Sequence, residues 1–224
     1  MAKTTKISWA DHSWSPWRVC TKVSPGCDNC FAEALAKRAG LGWGKGVPRQ
    51  RTSVAYWRQP LRWNREAEEA GVRRRVFPSQ CDPFDTEAPA DWREDMFALI
   101  EATPWLDWLL LTKRPAEAVR ELTRIWNEEN APRNIWLGTS IEDQDHVFRL
   151  EHLLAAPSWV VILFLSVEPM LGPILFPLGS LKAMDWVIIG AESGPKRRPF
   201  DNAWALDVVA QCDEAEVPVW CKQG

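Results

Sequence analysis

From residue 75 to the end of the chain, short unbroken apolar runs alternate with longer amphipathic stretches. Val76-Phe77-Pro78-Ser79, Trp105 to Leu111, Ile135 to Ser140, Val160 to Ser166, Asp185 to Ile189 and Val217 to Trp220 read as strands. The stretches 91–102, 116–127, 145–155 and 202–214 read as helices between them, and 171–182 is rich in proline and glycine. Apolar strands separated by helices predict a parallel sheet covered on both faces. Strand ends recur about every thirty residues, one βα unit each. Six to seven parallel units of this kind predict an α/β fold, a partial or open (β/α) barrel.

The first third is patterned differently. Ile7 to Val19 has hints of period two and three tryptophans, Trp9, Trp14 and Trp17, and predicts a strand delivering Cys20. After Cys30 the run Phe31-Ala-Glu-Ala-Leu-Ala-Lys-Arg38 favours a helix. Residues 39–48 alternate glycine with other residues, a mobile loop or one whose backbone approaches a ligand. Arg49 to Arg65 interleaves arginines with Tyr56, Trp57 and Trp63. It reads as an amphipathic helix with Trp57 and Trp63 inward and arginines in solvent; the alternative is base stacking with phosphate neutralisation.

At 224 residues the chain is expected to be one domain, 1–224, with a basic Trp/Arg-rich insertion at about 40–75. Residues 1–75 hold fifteen of the 27 Lys/Arg and six of the 30 Asp/Glu. A basic first third suits an anionic partner near the cysteines, or it neutralises the acidic remainder within the fold. No window has the length and purity of a membrane span, and the N-terminus lacks a signal-peptide core. No membrane association and a cytoplasmic location are therefore expected, with cysteines as metal ligands or free thiols.

Three of the six cysteines fall in one stretch, Cys20-Thr-Lys-Val-Ser-Pro-Gly-Cys27-Asp-Asn-Cys30. Ser24-Pro25-Gly26 and Asp28-Asn29 are turn formers, as a loop wrapping three thiolates around one point needs. Three thiolates are one short of a closed structural zinc site. They suit an iron–sulfur cluster with one metal position open. The alternative is zinc with a fourth ligand, Cys81 or His12, in a nucleic-acid-binding module without catalysis. Other constellations are absent: there is no Gly-x-Ser-x-Gly, no P-loop, and the three histidines are wrongly spaced for a helix-borne metal pair. His146 and His152 read as helix-surface residues, Cys212 and Cys221 as buried thiols, and Cys81 as a core thiol or a site residue.

In parallel barrels the active site lies at the C-terminal ends of the strands. Polar clusters stand there: Ser79 with Asp82, Thr112 with Lys113 and Arg114, Ser140 with Glu142, Ser166 with Glu168, and Glu192 with Ser193.

The cysteine stretch resembles the cluster-binding loop of radical S-adenosylmethionine (SAM) enzymes, although their usual spacing is three then two residues and here it is six then two. With Trp14-Ser-Pro, Cys81-Asp-Pro-Phe-Asp85, Leu111-Thr-Lys-Arg-Pro115, Trp136 to Glu142, Ser166-Val-Glu-Pro-Met170, Asp185 to Gly190, Glu192-Ser-Gly194 and Lys222-Gln223, the chain is similar to an uncharacterised phage-associated family with a three-cysteine motif. It departs at Ala191, where a second glycine is usual. The resemblance implies a radical-SAM-like barrel, a [4Fe–4S] cluster on Cys20, Cys27 and Cys30, and bound SAM. It implies Ser79 and Asp82 near the methionine or ribose, Ser140 and Glu142 at ribose hydroxyls, and Glu168 or Glu192 at ribose or amine. Lys113 and Arg114 would face an anionic substrate or the SAM carboxylate. Such chemistry needs an electron donor, a flavodoxin- or ferredoxin-like protein. A nucleotide or nucleic-acid substrate is the accompanying expectation.

Overall fold

The computed structural model describes residue 5, residues 7–194 and residues 196–222. Strand β1 (His12–Trp14) is followed by a small antiparallel pair, β2 (Trp17–Arg18) and β3 (Gln50–Arg51), with helix α1 (Phe31–Arg38) between its strands. Helices α2 (Val54–Trp57) and α3 (Gln59–Ala70) complete the first crossover. Strands and helices then alternate: β4 (Arg74–Pro78), α4 (Ala90–Glu101), β5 (Leu106–Thr112), α5 (Pro115–Ile125), β6 (Ile135–Ser140), α6 (Arg149–Leu154), β7 (Ile162–Val167), α7 (Leu178–Leu181), β8 (Trp186–Ile189), α8 (Asn202–Ala215) and β9 (Val219–Cys221).

The principal sheet is all parallel, in the order β1-β4-β5-β6-β7-β8-β9, and curls into a half-barrel. Each strand pairs with the next principal strand in the chain. Right-handed crossovers that always step the same way place the helices from α2 to α8 on the same face, whereas α1 borders the strand ends. Two separate cores result. On the outer face Trp108, Leu110, Leu137, Leu165 and Val187 pack against Met96, Leu122, Leu153 and Val208 of the helices. On the inner face Phe77, Leu109, Phe164 and Ile188 pack with Trp9 and Ala10. Leu109 and Leu110, like Phe164 and Leu165, go to opposite cores because successive strand side chains alternate. That is why these runs are apolar throughout.

The start of the chain closes the bottom of the half-barrel. The Trp9 ring lies 4.5 Å from Phe77 on β4 and 6.3 Å from Trp186 on β8. Among the described residues, no helix is long and apolar enough to cross a membrane.

Three expectations are corrected. Ile7 to Val19 is not one strand. It breaks at Ser15-Pro16, because proline has no N–H for the ladder; the Pro16 carbonyl instead accepts from Thr52 N and Oγ1 at 3.0 and 2.9 Å. Cys20 therefore leaves the small sheet rather than the barrel's first strand. The stretch 145–155 divides into a 3-10 turn, Gln144–His146, and α6. Cys221 is exposed on the edge strand, whereas Cys212 is buried. In the basic insertion, α3 turns Trp63 inward. Arg51 pairs with Asp95 at 2.5 Å and lies 4.4 Å above the Trp57 ring.

Candidate functional site

The strand ends and the cysteine loop enclose a cavity of about 550 Å3. Its walls follow from the pleat. Two residues beyond the inner-face positions Phe77, Gly138 and Phe164 stand Ser79, Ser140 and Ser166, and all three serines line the cavity. Above this hydroxyl layer come Asp82, Lys113, Arg114, Glu168 and Glu192. Trp9 and Phe77 form the apolar floor.

Cys20, Cys27 and Cys30 all line this cavity, and all are free thiols. Cys20 follows Val19, whose φ of 76° is strained for a β-branched residue. Cys30 stands at the N-cap of α1, where its side chain makes no cap hydrogen bond. Arg114 Nη1 lies 4.0 Å from Cys20 Sγ. The Lys113 charge partly offsets burial at Cys30, whereas Lys22 is paired with Glu33 at 2.7 Å. Burial nevertheless pushes the Cys20 thiol well above its ordinary value, helped by the Asp82 and Asp85 charges, and burial also raises Cys30. Thiolates are favoured here only when a bound positive group compensates them.

A buried ion network holds Cys20 in place. Asp82 accepts from Thr112 Oγ1 at 2.7 Å, Phe84 N at 2.9 Å and Arg114 Nη1 at 2.7 Å. Arg114 Nη2 donates to the Thr21 carbonyl at 2.7 Å. Asp85 accepts from Arg49 Nε at 2.8 Å and from Thr21 N at 3.3 Å. Arg49 and Asp85 are both fully buried. The sequence reading placed Arg49 in solvent; it is instead the link between the basic insertion and the cysteine loop. Burial is tolerated because each charge is paired and hydrogen-bonded.

The structure brings together on one cavity every strand-end residue singled out from the sequence except Glu142. That carboxylate is fully buried beneath Gly26, with Oε2 accepting from Arg149 Nη1 at 2.7 Å and Oε1 without a hydrogen bond, 3.9 Å from His146 Nδ1. Glu192 lines the cavity but is engaged with Arg198 and Asn29. Glu168 is engaged with Lys222, whose neighbour Gln223 lies outside the described residues. Cys81, on the same wall, is a half-buried residue whose thiol is raised well above its ordinary value by desolvation and by neighbouring Cys20. His146 pairs with Asp143 at 2.5 Å. Sequence reasoning missed Arg49, Arg198 and Thr21; Asp85 stood in a quoted motif without a role.

A family model described as "protein of unknown function (DUF5131)" matches residues 4–224. The chain belongs to the DUF5131 family. That match includes the three cysteines and every principal strand end of the half-barrel. Neither the curated proteins nor the solved structures returned a match to this DUF5131 chain.

Among the described residues, no three His, Cys, Asp or Glu side chains converge on a single metal-ion position. A tetrahedral zinc site needs its thiolates about 2.3 Å from one ion. A four-iron cluster places each thiolate on a different iron, so its ligands need not converge on one atom. Three free cysteines around one cavity, with Arg114 beside Cys20, are the donor set that an anionic cluster with separate ligand positions would use.

Proposed function

We propose that this DUF5131 chain is a radical SAM enzyme in which Cys20, Cys27 and Cys30 hold a [4Fe–4S] cluster. The observation that carries the reading is the placement of three free cysteines on one strand-end cavity, with Arg114 Nη1 4.0 Å from Cys20 Sγ. When bound, the cluster would supply one electron for reductive cleavage of SAM to a 5′-deoxyadenosyl radical.

The protein's own part is to hold, orient and shield. The Arg49–Asp85 and Arg114–Asp82 pairs fix Thr21 and thereby the Cys20 end of the loop. The N-terminus of α1 and Lys113 favour negative charge at Cys30. Ser79, Ser140 and Ser166 offer hydroxyls to a polar ligand, and Glu168 with Lys222 offers a charge pair at the rim. Trp9 and Phe77 keep water from the floor. Lys113 is the residue assigned to an anionic group, because Arg114 is committed to Asp82 and Thr21. A flavodoxin- or ferredoxin-like reductant is the partner that this chemistry requires. The zinc-stabilised nucleic-acid module has less support, since Arg49 and Arg51 are already paired within the protein.

The test is anaerobic purification. Brown protein carrying about four irons and four sulfides per chain, with a cluster electron paramagnetic resonance signal altered by SAM, is expected. Colourless protein with one zinc would overturn the reading.

A further inference from the structure

The cysteine loop is weakly held by apolar packing. Helix α1, which follows Cys30, buries only Ala32 and Ala36, and leaves Phe31 and Leu35 about 40 % exposed (44 % and 39 %). A loop that must present three sulfurs in one arrangement needs other ties. They come from the far end of the chain, just after β8. Arg198 Nη2 donates to the Pro25 carbonyl at 2.8 Å, and Arg198 Nη1 lies 3.8 Å from Asp28 Oδ2. The same guanidinium grips Glu192, which also accepts from Arg198 N at 2.8 Å. Asn29 Nδ2 donates to Glu192 Oε2 at 2.9 Å and to the Lys196 carbonyl at 3.1 Å.

Beneath these ties, the turn Pro25–Cys27 rests on Glu142, just beyond the end of β6. A Cβ at Gly26 would stand 3.0 Å from the Glu142 carboxyl carbon, and that carboxylate is pinned by Arg149. The turn thus lies between Glu142 below and Arg198 above. Pro25 and Gly26, within the six-residue spacing between Cys20 and Cys27, make the contacts just described, so that stretch gives the turn its seat.

We propose that Glu192, Arg198 and Asn29 form a clasp that closes the cysteine loop onto the strand ends, with Arg198 as its positioning residue. Its purpose, presenting metal ligands, rests on the cluster reading above. Its existence does not, and the two are separable by experiment. Glu192 in this role is a structural tie and not a ligand for ribose or amine. Its carboxylate oxygens are occupied by Arg198 and Asn29.

The test uses the full-length metal-free protein and N-ethylmaleimide, with labelling of each cysteine timed by mass spectrometry. In Arg198→Ala and in Glu192→Gln, labelling of Cys27 should accelerate by about ten- to hundredfold, the factor that one lost charge-assisted hydrogen bond gives. Cys212, buried in the outer core, serves as the internal reference and should not change. The double variant should fall short of the product of the two single effects, because both remove the Arg198–Glu192 pair. Arg198→Lys should fall between, since lysine is a single-point donor. After reconstitution with iron and sulfide, the same variants should lose iron to bipyridyl faster by a similar factor. Unchanged Cys27 labelling in both single variants overturns the clasp, as does acceleration shared equally by Cys212. If Arg198→Ala does not fold, Asn29→Ala decides by the same two criteria. Wild-type protein that takes up no iron overturns the cluster reading, and the labelling result still decides the clasp.

Discussion

Arg114 and Asp82 are joined by a 2.7 Å ion pair in which each side chain is about nine-tenths buried (9 % and 10 % exposed). Removing one member of such a pair strands the other charge. Arg114→Ala should lower unfolding stability by about 3–5 kcal/mol, and Arg114→Ala with Asp82→Asn should recover part of that loss. Chemical denaturation measures both. A cost below about 1 kcal/mol would mean that the pair behaves as a solvent-screened surface contact.

Gly138 faces the ring of Phe164 on the neighbouring strand, and an added Cβ would overlap all of its outer carbons. Both sit in a close-packed layer. Gly138→Ala should therefore cost about 1–3 kcal/mol. Phe164→Leu in the Gly138→Ala background should restore some of it, read from thermal melts of the four proteins in the cycle. Additive effects would show that the two positions do not compete for the same space.

Glu142 and Glu168 each stand two residues after a cavity-lining serine, yet the structure gives them different surroundings. Glu168 lines the cavity, whereas Glu142 is sealed under Gly26. With cluster-loaded protein, Glu168→Gln should weaken SAM binding by about tenfold, the loss of one charge-assisted contact. Glu142→Gln should leave SAM affinity within about twofold while lowering stability, because Arg149 loses its charged partner. Equilibrium dialysis gives both affinities, and the reverse ranking would restore Glu142 as a direct ligand.

Glu121 on α5 carries a pH dependence of known sign. Burial alone would raise its carboxyl, but Arg93, 3.4 Å away, and Arg124, 3.2 Å away, hold it below the ordinary glutamate value. A depressed carboxyl contributes stability that is present above the unfolded value of about 4.3 and is lost as pH falls through the folded value. Melting temperatures of wild type and Glu121→Gln should thus differ most above about pH 5 and converge on acidification. A difference independent of pH would place the effect in packing and not in charge.

The parallel half-barrel was legible because continuous apolar runs such as Leu106 to Leu111 must bury both faces, and because each ended in polar residues. Those ends converge on one cavity for the reason that parallel strands all point the same way. What the sequence could not show depends on which groups meet across long separations. Nothing in Lys196-Arg197-Arg198 says which cation turns toward Glu192 and the cysteine loop. Arg49 stands among surface arginines in the sequence and is buried only because Asp85 and Thr21 approach it. The expected strand from Ile7 to Val19 failed at a single imino acid, Pro16, whose missing N–H was visible but whose two-sheet outcome was not.

The contact between Trp9 and Trp186 fixes an order of events during synthesis. The indole that closes the bottom of the half-barrel, Trp9, is made well over a hundred residues before its partner on β8, Trp186. At about 5–20 residues per second, Trp9 waits on the order of ten to thirty-five seconds at the ribosome before that partner exists. Cys20, Cys27 and Cys30 emerge early in the same interval, ahead of the strand that bounds their cavity on the far side. A nascent chain of this protein therefore displays its thiols before it owns a floor to shelter whatever they bind.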